Sequence, residues 1–256
     1  MKQFEKGVFI TATDTEVGKT FVSALLLKAL LKQNIKAGYF KPVASGCQTE
    51  NGFLVSEDLL YVEKFTGIKM EHDLHCPVRY QKPLAPVVVA ELEKKPVDPV
   101  KIKKAFELLK QKYSALIVEG IGGVMVPLSK NYLVLDLIAD FNLPALIVSR
   151  PTLGTINHTL LTISVLKNKG IPIAGFLTNG DKEENDEAAA SSPEIIAGLG
   201  RVTYLGHIPM YNFKKDNPDD FIEKKAFFIK KLADGIASIK ENNPLEPPFL
   251  RGKKWK

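Results

Sequence analysis

Short runs of Val, Ile and Leu alternate along the chain with longer amphipathic stretches. The apolar runs predict strands at residues 7–13, 37–43, 114–120, 143–149, 171–179 and 202–210. The amphipathic stretches predict helices at residues 19–34, 56–67, 98–112, 155–170 and 219–243. Because strands rich in branched residues are bounded by helices, the pattern predicts an α/β fold, with a doubly wound, mostly parallel sheet and helices on both faces.

Local residue choices mark several helix ends. Asp98 is the expected N-cap of a helix with Pro99 at its first position, and Gly67 and Gly170 are expected helix stops. No low-complexity linker divides the chain. We therefore expect one domain over residues 1–243, with flexible segments at the polar stretch 180–192 and in a basic tail at 244–256.

Composition restricts the class of protein. The chain has 256 residues, of which 45% are hydrophobic and 25% charged, as in ordinary globular proteins. It contains no apolar run of membrane-spanning length and no signal-peptide pattern, and Cys47 and Cys76 are its two cysteines. Because two cysteines give no disulfide framework, we expect a reducing compartment and a cytoplasmic protein without a membrane partner. We expect no nucleic-acid partner, because the net charge of +6 lies largely on predicted helix faces and in the tail.

The stretch TATDTEVGKT, residues 11–20, follows the first predicted strand and opens the first predicted helix. This context is typical of a phosphate-binding loop, in which backbone N–H groups and the helix N-terminus hold phosphate oxygens. Lys19 would reach the β- and γ-phosphates and Thr20 would offer its hydroxyl to Mg²⁺. The pattern is imperfect, because Thr13 stands where the first glycine usually falls. The fold is therefore expected to be P-loop NTPase-like.

Three further residues are candidates for the same site. Glu119 ends a buried strand before turn glycines, at the edge where open parallel sheets bind ligands, and is a candidate Mg²⁺ ligand. Asp58 lies in the first turn of a helix, where it either binds the metal or complements the helix dipole. Lys41 ends the second predicted strand and is either a substrate-binding residue or a solvated loop lysine.

The segments TDTEVGKT, KPVASG, VEGIGGVMVPL, LGTINH and LTN occur in order from residue 8 to about residue 211. This combination closely resembles the dethiobiotin synthetase family. The resemblance implies an ATP-dependent ligase that joins CO₂ to 7,8-diaminopelargonic acid. In that reaction an amine forms a carbamate, the carbamate attacks the γ-phosphate to give a carbamic–phosphoric anhydride, and the second amine closes the ring of dethiobiotin. ADP and phosphate are released.

The resemblance implies catalytic and metal-binding roles. Lys19 and Lys41 would be catalytic, flanking the charge that develops on phosphate and carbamate. Thr20, Asp58 and Glu119 would hold Mg²⁺ as the cofactor, with ATP as co-substrate.

The resemblance also implies two binding regions. Asn179 would read the adenine edge, and the residues assigned to ATP are Glu16, Val17, Gly18, Lys19, Thr20, Phe21, Asp58, Glu119, Gly120, Gly122, Asn179, Gly180, Pro209, Met210 and Tyr211. The residues assigned to the diamine substrate are Thr15, Lys41, Ser45, Gly154, Thr155, Ile156 and Asn157. Because the family takes residues corresponding to 154–157 from a neighbouring subunit, a homodimer is implied.

Some positions depart from the family or stay ambiguous. Ala12 replaces a usual glycine and requires a negative φ, and the stretch 180–192 lacks a tyrosine that some members use. Asp14 either stabilises the turn or acts directly on a ligand. His72 and His75 are expected on the surface or in a loop, and Cys47 as a small semi-buried filler. The alternative functions are a P-loop ATPase switch of the partitioning type and a cobyrinate-type ATP-dependent synthetase.

Overall fold

A computed structural model describes residues 7–181, 187–212 and 214–224 of the chain. The strands in this part are β1 (Val8–Ala12), β2 (Ala37–Phe40), β3 (Val43–Ala44), β4 (Gln48–Glu50), β5 (Phe53–Val55), β6 (Val78–Arg79), β7 (Ala115–Gly123), β8 (Pro127–Ser129), β9 (Tyr132–Leu133), β10 (Ala145–Ser149), β11 (Ile173–Asn179) and β12 (Tyr204–Ile208). The helices are α1 (Lys19–Lys32), α2 (Glu57–Thr66), α3 (His72–His75), α4 (Pro86–Leu92), α5 (Pro99–Lys112), α6 (Val134–Phe141), α7 (Thr155–Asn168), α8 (Glu187–Gly200) and α9 (Pro218–Lys224).

The main sheet has six strands in the order β12-β11-β10-β1-β7-β2. Every neighbouring pair in it is parallel. The predicted doubly wound sheet is confirmed. The carboxyl ends of all six strands meet at one edge, so the loops that follow them lie together and can build a site there.

Residues of the central strands alternate between two hydrophobic layers. Val8 and Ile10 pack with α1 and α2, whereas Phe9 packs with α5, α6 and α7 on the opposite face. All three side chains are fully buried. This period of two explains why the strand is apolar throughout, because each face of the sheet is covered by helices.

The predicted helix ends are confirmed at three places. The Asp98 side chain accepts hydrogen bonds from the Val100 and Lys101 amides at 2.9 and 3.0 Å, and α5 begins at Pro99. Gly67 and Gly170 follow their helices with φ of 80° and 73°, which glycine adopts without the Cβ penalty of other residues. Ala12 has no positive φ, so its methyl group is tolerated.

The expectation of a flexible segment at 180–192 is wrong for residues 187–192. These residues form the first part of α8, in which Ala189 and Ile196 are buried. Burial of its apolar positions, together with the helix preference of its alanines, stabilises this helix. The polar composition of the segment gave no indication of it. Residues 182–186, the tail 244–256 and most of the predicted helix at 219–243 lie outside the described residues, and α9 forms its start.

A search of the described ranges for membrane spans found no helix with the length and apolar character needed to cross a bilayer.

The N-cap of α5 gives a stability prediction. We expect Asp98→Ala to lower the free energy of unfolding by about 1 kcal/mol, because two amides of the first turn lose their acceptor. Urea denaturation followed by circular dichroism measures the change. Asp98→Asn, which keeps a capping oxygen, is the control and should lose much less; equal stability of all three proteins would contradict the capping role.

Candidate active site

The loop between β1 and α1 requires glycine at its last position. Gly18 has φ of 86°, and a Cβ there would lie 2.1 Å from Nδ2 of Asn179. That amide donates a hydrogen bond to the Val17 carbonyl at 2.9 Å. The end of β11 is therefore tied to the loop, and any side chain at position 18 would force the two apart.

Lys19 folds back over the loop from the first residue of α1. Its side chain is buried, and Nζ donates to the Asp14 carbonyl at 3.3 Å. Burial, aided by the charge of Lys41, lowers the pKa of Lys19 to about 8, although Glu119 and Asp58 act in the opposite direction. An anion entering the loop would stabilise the charged form of this amine.

Lys41, the residue after β2, lies between two carboxylates. Its Nζ is 2.9 Å from Oδ2 of Asp58 and 2.7 Å from Oε1 of Glu119, and it donates to the Gly120 carbonyl at 3.2 Å. The Thr20 hydroxyl lies 2.7 Å from Oδ1 of Asp58 and 2.9 Å from Oε1 of Glu119. Four predicted site residues, Thr20, Lys41, Asp58 and Glu119, thus form one cluster, called here the cation cluster.

The charges of the cation cluster are mutually stabilised. Burial alone would lower the pKa of the Lys41 amine, but Asp58 and Glu119 raise it above its usual value. Burial acts to raise the pKa of Asp58, yet Lys41 and the Thr20 hydrogen bond hold it below its usual value. The pKa of Tyr39, whose hydroxyl donates to Oε2 of Glu119 at 2.8 Å, is raised by burial and by the nearby carboxylates. Tyr39 therefore stays protonated.

The cation cluster fits a magnesium ion by its donor chemistry. It brings one hydroxyl and two carboxylates together, which are the hard oxygen ligands that Mg²⁺ prefers alongside phosphate and water. Glu119 is fully buried, whereas the Asp58 side chain is 32% exposed. The opening toward solvent is therefore on the side of Asp58.

The side chains of the two acidic loop residues, Asp14 and Glu16, have different surroundings. Asp14 accepts a hydrogen bond from the Thr15 amide at 2.7 Å and forms an ion pair with Arg150, the residue after β10. Its carboxylate thus stabilises the turn, one of the two roles left open by the sequence. Glu16 is exposed with φ of 57°. Thr15 is also exposed, so both side chains are accessible to a ligand.

Residues predicted to hold the nucleotide base lie beside the loop. Asn179 is buried, and its Oδ1 has no hydrogen-bond partner within the described ranges. The Gly180 amide donates to the carbonyl of Ile208, the last residue of β12, so the two strand ends are adjacent. Phe21 stacks on Tyr211 with ring centroids 5.3 Å apart. The remaining residues of this group, Pro209 and Met210, follow β12 directly, and Met210 is exposed.

The glycines of β7 allow close packing under the site. A Cβ on Gly120 would lie 2.9 Å from the ring of Phe9, and Gly122 has φ of 60°. Glycine is needed at both positions, at the first for space and at the second for backbone conformation. The Gly120 carbonyl accepts the hydrogen bond from Lys41 in this closely packed region.

The Ser45 turn is anchored by a neighbouring segment. The amides of Gly46 and Cys47 donate to the carbonyls of Lys82 and Tyr80, at 3.2 and 2.9 Å. Cys47 is buried, and burial raises the pKa of its thiol to about 11. Cys47 packs in the hydrophobic layer that contains α1 and α2, as expected of a small filler residue.

A cavity of about 460 Å³ lies beside the loop. The lining comes from three segments and consists of Ala12, Thr13, Asp14, Thr15, Gly123, Val124, Met125, Val126, Pro127, His158, Leu161, Thr162 and Val165. Its size is within the range of small-molecule sites. The predicted substrate residues Gly154, Thr155, Ile156 and Asn157 form the start of α7, where the Thr155 side chain is buried and Asn157 is exposed.

The expectation that both histidines of HDLH are surface or loop residues is wrong for His75. It is fully buried, and its Nδ1–H donates to the Tyr39 carbonyl at 2.5 Å. Its own carbonyl accepts from the Lys41 amide at 2.8 Å. The cause is the position of β2 at the edge of the sheet, where backbone groups need partners from outside the sheet. Sequence spacing contained no sign of these contacts.

The parallel sheet, the loop with Gly18-Lys19-Thr20 and the cation cluster together define a nucleotide-binding protein of the P-loop class. The family described as AAA domain matches residues 6–213. The MinC:MinD cell division protein complex of Aquifex aeolicus has TM-score 0.54 at 16% identity, covering 94% of this chain and 98% of that chain. The cell division ATPase MinD of Pyrococcus furiosus has TM-score 0.51 at 18% identity, covering 91% and 99%. At these identities the likeness shows the fold alone.

Curated relatives give the family. The ATP-dependent dethiobiotin synthetase BioD of Methanococcus aeolicus is 50% identical over 218 residues, which are 84% of this chain and 99% of the relative. The protein of the same name from Thermodesulfovibrio yellowstonii is 42% identical over 211 residues, which are 79% and 88%. The chain belongs to the dethiobiotin synthetase family.

The buried charges of the cation cluster give a second stability prediction. We expect Lys41→Met to lower the free energy of unfolding by about 3 kcal/mol, because Glu119 keeps a buried charge without its cation. Guanidinium denaturation without nucleotide measures the change. Lys169→Met, which breaks the exposed ion pair between Lys169 and Asp136 at 2.6 Å, is the matched control. Its cost should stay below about 1 kcal/mol, and an equal loss in both variants would argue against the interpretation.

Proposed function

We propose that this chain catalyses the ATP-dependent conversion of 7,8-diaminopelargonic acid and CO₂ to dethiobiotin, with release of ADP and phosphate. The observation that carries the proposal is the convergence of Lys19, Lys41 and the oxygen ligands of the cation cluster at one edge of the sheet. Two cations beside a hydroxyl and two carboxylates suit a reaction in which negative charge passes between a carbamate and a phosphate.

Magnesium and ATP would share the end of the loop. Thr20, Asp58 and Glu119 would hold Mg²⁺, which supplies charge neutralisation to the β- and γ-phosphates when bound. The loop amides and the Lys19 amine would bind the phosphates. Lys41 would meet the carbamate oxygen and the γ-phosphate, where its fixed charge is stabilised by the surrounding carboxylates.

The proposed reaction proceeds in three steps. One substrate amine attacks CO₂ and loses a proton, which gives a carbamate. A carbamate oxygen then attacks the γ-phosphorus, the bond to the β-phosphate oxygen breaks, and ADP leaves. The second amine attacks the carbonyl carbon of the resulting carbamic–phosphoric anhydride and loses a proton to water, the bond to the phosphate oxygen breaks, and the five-membered ureido ring forms. Thr15 and Ser45 would orient the amines through hydrogen bonds during both attacks.

The base of ATP would lie against Asn179. Its buried, unpartnered Oδ1 is an acceptor for the exocyclic amine of adenine, and leaving that atom unpaired is costly. Pro209, Met210 and Tyr211 would line this region with Gly180. The stacked rings of Phe21 and Tyr211 would support the residues that contact the base.

The cavity beside the loop would receive the aliphatic part of the diamine. It is lined mainly by apolar side chains and opens beside Thr15. Residues 154–157 of a second copy would bind the substrate carboxylate at a helix start, in a homodimer. Leu153, which directly precedes this segment, is 87% exposed, which favours a partner surface there. We place the enzyme in the cytoplasm, as one domain, without nucleic-acid or membrane partners.

A coupled assay tests the reaction. We expect phosphate release from ATP and Mg²⁺ to require both bicarbonate and the diamine, and mass spectrometry to detect dethiobiotin in equal amount. Omission of either substrate, and monoamine analogues of the diamine, are the controls. Phosphate release stimulated by DNA or lipid vesicles in place of the diamine would instead indicate an ATPase switch.

The lowered pKa of Lys19 gives a pH prediction. Bound phosphates favour the charged amine, so the pKa rises on binding from about 8 in the free protein. Affinity for a non-hydrolysable ATP analogue should therefore stay constant below about pH 7 and fall about tenfold by about pH 9. Calorimetric titration at a fixed Mg²⁺ concentration measures this affinity at each pH. Lys19→Gln should bind more weakly with little pH dependence over this window, whereas a parallel decline in both proteins would assign the effect to another group.

A further inference from the structure

The two oxygens of the Glu119 carboxylate have different partners. Oε1 lies 2.7 Å from Nζ of Lys41 and 2.9 Å from the Thr20 hydroxyl. Oε2 accepts a hydrogen bond from the Tyr39 hydroxyl at 2.8 Å. Because Glu119 and Tyr39 are both fully buried, water cannot replace that donor. The Tyr39 hydroxyl thus holds Oε2, while Oε1 faces Thr20 and Lys41.

The sheet brings the hydroxyl to this place. Tyr39 in β2 is paired with Ile117 in β7, and Glu119 is two residues further along β7 on the same face. Cross-strand diagonal neighbours of this kind lie within reach of a long aromatic side chain. The ring itself packs in the layer that contains α1 and α2, so its direction is fixed by packing.

The backbone around Tyr39 is also held. The His75 ring donates to the Tyr39 carbonyl, and the His75 carbonyl accepts from the Lys41 amide. A single residue thereby fixes the backbone on both sides of Phe40. The Tyr39 hydroxyl and the Lys41 amine reach the same carboxylate from one short, doubly anchored segment.

We propose that Tyr39 is a positioning residue for the reaction. Its hydroxyl holds the Glu119 carboxylate so that Oε1 stays directed toward Thr20 and Lys41. Tyr39 itself touches neither nucleotide nor metal. The inference rests on the proposed function, because Glu119 would act there as a ligand of Mg²⁺. Residues that hydrogen-bond a ligating carboxylate orient it and tune its affinity for the metal.

Tyr39→Phe tests the inference, since it keeps the buried ring and removes only the hydroxyl. We expect about tenfold weaker binding of the divalent ion, in line with the loss of a partner that orients a ligand. Mn²⁺ titration by electron paramagnetic resonance, with a non-hydrolysable ATP analogue present, measures this without turnover. In the coupled assay, the Mg²⁺ concentration for half-maximal rate should rise by a similar factor, and excess Mg²⁺ should recover most of the rate.

Tyr80→Phe is the matched control. Tyr80 is equally buried, and its hydroxyl donates to the Lys95 carbonyl at 2.8 Å, away from the cation cluster. This variant should keep the Mn²⁺ affinity of the parent protein while losing a comparable hydrogen bond. Equal Mn²⁺ affinity in Tyr39→Phe, Tyr80→Phe and the parent protein would overturn the inference.

A conservative replacement covers the case in which Tyr39→Phe folds poorly. Substitution of Tyr39 by p-aminophenylalanine keeps a donor at the same end of the ring. We expect this replacement to retain Mn²⁺ affinity within about threefold of the parent. A tenfold loss despite the retained donor would contradict the role of the hydrogen bond.

A double-variant cycle with Glu119→Gln separates the two proposals. If Tyr39 acts through Glu119, Tyr39→Phe should have little further effect on Mn²⁺ binding in the Glu119→Gln background. Additive effects would show that Tyr39 acts by another route. If Glu119→Gln alone leaves Mn²⁺ affinity unchanged, the proposed metal site is wrong, whereas a loss in Glu119→Gln with none in Tyr39→Phe would refute only the role of Tyr39.

Discussion

The site depends on one buried cation held between two carboxylates. Lys41 follows an edge strand, Glu119 belongs to β7, and Asp58 and Thr20 come from two helices, so the cation cluster joins four elements of the chain. Such a group is costly to bury and is stable only when every partner is present. The arrangement is therefore formed only when all four elements are packed. It also places one positive charge between two negative charges, which is the arrangement that the proposed triphosphate and metal would meet.

The positions of several candidate site residues could be predicted from strand ends alone. In a parallel sheet, the residues that follow buried apolar runs lie at one edge, and this rule is sufficient for the phosphate loop, Lys41 and Glu119. The same rule locates Asn179, the last residue of β11. These predictions needed no knowledge of loop conformation. They did need the assumption that the strands are parallel, which the alternation of strands and helices provided.

The features that the sequence did not reveal depend on tertiary contacts. For Asp58 the local sequence left two roles open and the resemblance alone assigned it to the metal, because nothing in α2 indicates that Lys41 lies opposite it. The start of α8 is rich in small and polar residues, and its order comes from packing of side chains such as Ile196. Tyr39 lies within the strand predicted at residues 37–43, but nothing in the sequence indicated Glu119 as its partner. The ion pair of Asp14 with Arg150 joins loops that follow separate strands.

The contacts of His75 have a consequence beyond the reaction. Strand β2 ends the six-stranded sheet, and the outward N–H and C=O groups of an edge strand are a template for pairing with another molecule. Here the outward carbonyl of Tyr39 already accepts a hydrogen bond from the His75 imidazole, and the outward amide of Lys41 already donates to the His75 carbonyl. The strand is only four residues long, and His75 blocks further pairing at its C-terminal end. This edge of the sheet, next to Lys41, is thereby protected against pairing with a strand of another molecule.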